Sequence, residues 1–128
     1  MGELIRVFIV DRNALLLEGV AALIRTQPDM LLAGSAATSE AGLVLIGASP
    51  PDIVLIDVDP PGTAGISLIQ QLSRDAARIP VIGLVAYELD RSGLEALKAG
   101  AVAILEKSRL GEALIPLIRR VAMAPGSR

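Results

Sequence analysis

The chain has 128 residues, 52% of them hydrophobic and 2% aromatic, with 12 basic against 14 acidic side chains, a net charge of -2, and neither His nor Cys. Those counts exclude disulfides, thiol and imidazole catalysis and the usual zinc sites, and without a Lys/Arg stripe or stacking aromatics no direct nucleic-acid binding by this segment is expected. A domain of this length buries roughly two-thirds of its unfolded surface, and with neither a signal peptide nor an 18-residue uncharged apolar run the expected location is cytoplasmic, with no membrane contact.

In chain order, strand and helix patterns alternate. Ile5 to Val10 is an apolar strand closing in Asp11-Arg12-Asn13, and Asn13 caps a helix whose Leu16, Val20, Leu23 and Ile24 share one face. Pro28 stops that helix. Met30 to Ala36 reads as the second strand, followed by a shorter helix capped by Ser39 and broken at Ser49-Pro50-Pro51-Asp52. Ile53-Val54-Leu55-Ile56 is short, apolar and without alternation, the pattern of a strand covered on both faces. Asp57 stands where this strand emerges, and Pro60-Pro61-Gly62 turns the chain. After Gly65 a helix carries Ile66, Ile69 and Leu72; strand four is Val81 to Val85; a helix follows from Ser92 to Ala99; strand five is Val102 to Leu105. The last helix carries Leu110, Leu114, Leu117, Ile118 and Val121, and Pro116, unable to donate to the carbonyl of Glu112, predicts a kink or a late start. Residues 1–122 form the domain and 123–128 a linker or C-terminal tail.

Five such units with right-handed crossovers make an α/β fold, a three-layer doubly wound parallel sheet of flavodoxin-like order 2-1-3-4-5. At its switch point the ends of strands one and three lie side by side, which gathers Asp11, Arg12 and Asp57, with Val85 and Lys107 on the flanking strand ends. A flavodoxin would hold a flavin phosphate on this rim, but the loop here is Asp11-Arg12-Asn13 rather than hydroxyl-rich, and Tyr87 is the one rim aromatic. The plain alternatives are that Asp57 caps its loop and Lys107 snorkels from a strand end.

Several pieces together carry a resemblance: Ile9-Val10-Asp11 with Glu18-Gly19, Gln27-Pro28-Asp29, Pro51-Asp52 running through Ile56-Asp57, Pro61-Gly62 with Gly65, Pro80-Val81-Ile82, Ala86, Ala99-Gly100-Ala101 and Lys107. From Ile5 to Val121 the chain resembles the receiver domain of two-component response regulators, the CheY-like superfamily. The Glu-Gly and Gln-Pro-Asp pieces resemble most the NarL/FixJ (LuxR-type) subclass, whose receivers precede a helix-turn-helix output domain that these 128 residues do not contain. The resemblance implies phosphorylation of Asp57 by a histidine kinase or phosphotransfer protein. It also implies a magnesium ion held by Asp11, Asp57 and the carbonyl of Asp59, and phosphoryl contacts from Lys107 and Ala86. The physical logic is charge placement, since phosphoryl transfer asks for little else.

Three positions depart from the family pattern. Arg12 stands where a second acid would bind magnesium, Val85 where a Ser or Thr hydroxyl would reach the phosphoryl group, and Ile104 where an aromatic side chain would rotate inward. An Arg12–Asp57 pair at ~4 Å would gain about 4 kcal/mol of Coulomb attraction at an effective dielectric near 20, before desolvation. Arg12 could thus replace the metal, and weak magnesium binding is expected; the alternatives are that Arg12 swings into solvent and that the Asp59 side chain restores negative charge. The expectation is a non-enzymatic, atypical receiver in phosphorelay signalling that acts through protein–protein contacts and regulates transcription through an output domain. A conventional receiver phosphorylated on Asp57 is the alternative, and a small-molecule-binding flavodoxin-like domain a third. A homodimer through the last helix is expected, because its leucines exceed what one buried face needs.

Overall fold

The structure, a computed structural model of the chain, describes residues 3–59, 64–75, 78–87 and 90–123. Its elements are β1 (Ile5–Val10), α1 (Ala14–Arg25), β2 (Met30–Ala36), α2 (Ser39–Ala48), β3 (Ile53–Asp57), α3 (Ala64–Arg74), β4 (Val81–Val85), α4 (Arg91–Ala99), β5 (Ala103–Glu106), a 3₁₀ turn (Lys107–Arg109) and α5 (Leu110–Met123). The five strands form one parallel sheet in the expected order β2-β1-β3-β4-β5.

Alternation along the central strands divides the core into two layers. Val7, Ile9, Ile53 and Leu55 pack with Val20 and Ile24 of α1 and Leu114 and Ile118 of α5. Phe8, Val10, Val54 and Ile56 face the other way, onto Ile46, Leu68, Ile69 and Ala96 of α2, α3 and α4. Each fully buried Leu, Ile or Val stabilises the fold by roughly 1.5–3 kcal/mol. The rim where Asp11 and Asp57 emerge is therefore anchored from beneath on both faces.

Local chemistry explains most boundaries. The Asn13 side chain accepts the amides of Leu15 and Leu16 and so opens α1 as expected. Gly100, at φ 125°, closes α4 in a conformation that disfavours a side chain. The cap of α2 is Thr38 rather than Ser39: Thr38 is extended and its hydroxyl accepts the Ala41 amide at 3.1 Å, leaving Ser39 as the first helical residue. Strand five is Ala103–Glu106, one residue later than expected, although the Val102 amide still donates to the Val81 carbonyl.

The last helix corrects two expectations. It begins at Leu110, so Pro116 does not delay it, and the helix continues through the proline. Pro116 and Glu112 both lie on its exposed side, where water can take the place of the missing amide donor. The leucines are not surplus surface either: Leu114 and Ile118 are buried, and Leu110 and Leu117 pack against the same layer. The Gln27-Pro28-Asp29 piece also finds its partner here. Arg119 of α5 donates to both carboxylate oxygens of Asp29 at 2.9 Å and to the Gln27 side-chain oxygen at 2.6 Å, tying the α1–β2 loop to the last helix.

The turn expected at Pro60-Pro61-Gly62 and residues 124–128 lie outside the described residues, and Met123 is the last residue of α5. Among the described residues no helix is long and apolar enough to cross a membrane.

Candidate functional site

Asp57 ends β3 between two neighbours, with Ile56 opposite Val10 of β1 and Asp57 itself opposite Leu84 of β4. Asp11 follows β1 directly. Its backbone is pinned by a bond from its amide to the Ala36 carbonyl, and its Oδ1 accepts the Asn13 amide at 2.8 Å. The same Asn13 caps α1, so the loop that carries Asp11 is fastened at both ends. Asp11 is 3% exposed.

Lys107 leaves the end of β5 and reaches across the rim. Its Nζ lies 3.0 Å from Asp57 Oδ1 and 3.1 Å from Asp11 Oδ2. The buried Asp11 Oδ2 has no well-aligned hydrogen-bond donor, so the nearby ammonium is what compensates its charge. Burial alone would lower the Lys107 pKa. The hydrogen bonds and charges of Asp57 and Asp11 outweigh it, and the ammonium is held above its usual range.

Gly65, in the first turn of α3, has a backbone reason. A Cβ there would fall well inside van der Waals contact with the carbonyl oxygen of Asp57, so only glycine lets α3 approach the strand end. Asp57 is thereby held from the sheet side and from α3.

Asp59 does more than the sequence suggests. Its amide donates to Asp57 Oδ1 at 3.1 Å, and its own carboxylate accepts a hydrogen bond from the Ala86 amide, across the gap between the β3 and β4 ends. Because Asp57 lies opposite Leu84, two residues further on the register brings Asp59 level with Ala86. Val85, the last residue of β4, is fully buried, and Ile104 packs partly buried against the α4 side of the core. Neither side chain offers a hydrogen-bond donor to the rim.

Asp11, Asp57, Asp59, Ala86 and Lys107 line a cavity of about 650 Å³, which Asp90 and Ser92 at the start of α4 also border. The expected Arg12–Asp57 pair does not form. Arg12 borders the cavity but is exposed and makes no ion pair among the described residues, because it sits on a loop facing water while Lys107 occupies the space between the acids. The charge balance also differs from the expected two against two, since Asp59 and Asp90 line the cavity as well. Ser92 was not foreseen: its hydroxyl is buried without a partner, and nothing in the sequence marks it beyond its place one turn before the inward-facing Ala96.

Among the described residues no group of three or more Asp, Glu, His or Cys side chains is arranged to hold a metal ion. Lys107 stands between the carboxylates of Asp11 and Asp57, and the Asp59 carboxylate is turned to Ala86. A divalent ion held by Asp11, Asp57 and the Asp59 carbonyl would have to compete with the Lys107 ammonium for both carboxylates.

A family model described as the response regulator receiver domain matches residues 7–119. Among curated sequences, the uncharacterized transcriptional regulatory protein YxjL of Bacillus subtilis is 31% identical over 118 residues, 92% of this chain and 54% of that protein. The nitrate/nitrite response regulator protein NarL of Escherichia coli is 30% identical over 118 residues, 91% of this chain and 54% of that protein. The chain thus spans about half the length of these relatives. The receiver domain of the response regulator NarL from Mycobacterium tuberculosis superposes with a TM-score of 0.78 at 25% identity, covering 92% of this chain and 98% of that one.

Proposed function

Because this chain belongs to the response regulator receiver domain family, of the NarL and LuxR kind, we propose that it is an atypical receiver whose signalling rests on protein–protein contacts, with phosphorylation at Asp57 weak or absent. The observation that carries this reading is Val85: the last residue of β4, next in the chain to the cavity-lining Ala86, is fully buried in the core, with a side chain that has no hydrogen to donate. Ile104, an aliphatic side chain packed on the α4 side of the core, supports it.

Receiver domains work with histidine kinases or phosphotransfer domains and bind magnesium at the phosphorylation site. In this reading residues 1–122 are a cytoplasmic, non-enzymatic receiver module, 123–128 are a linker or C-terminal tail, and transcription is regulated through an output domain outside these 128 residues. Its partner is a histidine kinase or phosphotransfer protein, and its magnesium binding is weak. Two copies pair as a homodimer. Leu94 and Leu97, 55% and 44% exposed and three residues apart on α4, are the apolar surface that supports pairing, in place of the leucines of α5.

One observation favours a conventional phospho-acceptor instead: Asp57 borders the cavity with its carboxylate 3.0 Å from the Lys107 ammonium. Incubation with a small phosphodonor and magnesium, read by intact mass, separates the two. The proposed reading expects trace incorporation, increased in a Val85→Thr variant; near-stoichiometric labelling of the unaltered chain makes it an ordinary phospho-acceptor.

A further inference from the structure

An anion placed on Asp57 needs donors around it; Arg12 and Ser92 line the same cavity from the loop after β1 and the start of α4, but the strand ends offer few. Val85 gives none, Lys107 is shared between two carboxylates, and the backbone amide at the open end of β4 belongs to Ala86. That amide is taken. The Asp59 carboxylate accepts it in a charge-assisted hydrogen bond, while the Asp59 amide holds Asp57 Oδ1 at 3.1 Å. One residue therefore touches both Asp57 and the loop that leaves β4.

We propose that Asp59 is an internal anion that occupies the ligand position of this site, so that its carboxylate, rather than an added phosphoryl-like group, holds the Ala86 amide. The inference rests on the reading of this cavity as a receiver site and names what keeps that site filled. An incoming anion must break a carboxylate–amide bond and then remain beside the displaced carboxylate, so both lost bonding and like-charge repulsion oppose it. The β3–β4 register is what makes this possible: only a residue two positions past Asp57 lies level with Ala86. Asp59 thereby sets the affinity of the site for anions, and it tethers the start of the β4–α4 loop in the absence of any ligand.

Two variants separate the bond from the charge. Asp59→Ala removes both, whereas Asp59→Asn removes the charge and keeps a carbonyl acceptor for the Ala86 amide. With beryllofluoride in magnesium as the probe, Asp59→Ala binds at least about tenfold more tightly than the unaltered chain, and Asp59→Asn gains clearly less. In the ligand-free proteins the Ala86 amide resonance lies downfield and exchanges slowly, keeps that character in Asp59→Asn and loses it in Asp59→Ala. An Ala86 amide indifferent to Asp59→Ala, equal gains in the two variants, or no gain in Asp59→Ala overturns the proposal. The amide measurement uses neither anion nor phosphodonor, so it decides the role of Asp59 even where phosphodonor labelling goes against the atypical reading.

Discussion

Lys107 Nζ lies 3.0 Å from Asp57 Oδ1, and the same ammonium is the charge partner of the buried Asp11. Removing it leaves a carboxylate that is 3% exposed without compensation. Lys107→Met is expected to destabilise the fold by about 1–3 kcal/mol in urea unfolding at pH 7, below the range for a fully buried pair because the lysine keeps partial contact with water. The raised Lys107 pKa fixes the pH dependence. A group whose pKa is higher folded than unfolded contributes fully below its unfolded value, about 10.4, and loses that contribution as pH rises through the folded value. The stability gap between the unaltered chain and Lys107→Met should therefore be constant up to about pH 10 and shrink above it.

The acid limb belongs to another pair. Arg119 holds the Asp29 carboxyl below its ordinary range, chiefly through their side-chain hydrogen bonds. A depressed folded pKa contributes stability above the unfolded value, near about 4, and loses it as pH falls through the folded one. Arg119→Met should unfold more easily at pH 7, and its difference from the unaltered chain should vanish in strong acid. Arg119→Lys is expected to restore little, because a lysine cannot span both Asp29 oxygens and Gln27.

Gly65→Ala tests how closely α3 presses on the strand end. Its new methyl would collide with the Asp57 carbonyl, which is backbone and cannot rotate away. A loss of about 2–4 kcal/mol is expected in chemical unfolding, together with displaced amide resonances for Asp57 and Val58.

Much of this is legible in the residues before any coordinate. Ile5–Val10, Met30–Ala36 and Val81–Val85 are strands with the bounds their sequences suggest; for the fully buried β4 the reason is that a parallel strand covered on both faces needs continuous aliphatic surface. The strand order then brings Asp11, Asp57 and Lys107 to one rim. What a loop side chain does there is not legible in the same way. Arg12 has the charge to pair with Asp57, but Lys107, reaching in from β5, fills that space first. The Asp59–Ala86 bond depends on the register of β3 against β4, which strand order alone does not supply. The Thr38 cap differs from the expected Ser39 by one residue because both hydroxyls are competent and the extended backbone at Thr38 decides.

Arg12 remains a determinant of metal affinity through its charge. Arg12→Asp replaces a cation at the cavity edge by a carboxylate next to Asp11, and magnesium is expected to bind at least about tenfold more tightly, roughly 1.4 kcal/mol. Calorimetric titration of both proteins measures it; equal affinities would remove Arg12 from the account.

The most direct measurement is of the loop after β4 and of α4. With no donor on Val85 and no aromatic side chain at position 104, an anion on Asp57 has little differential affinity for two arrangements of this region, and a ligand shifts an equilibrium only by that difference. A lost hydrogen bond to a charged group is worth about 1.5–3 kcal/mol, the size of an ordinary allosteric coupling. Backbone amide spectra of the unaltered chain with and without beryllofluoride should therefore show changes confined to the surroundings of Asp57 and to the Ala86 amide that Asp59 releases, with the rest of the loop and α4 in place. Shifts across residues 86–99 as extensive as those beside Asp57 would contradict the account, because they would mean that the receiver still switches.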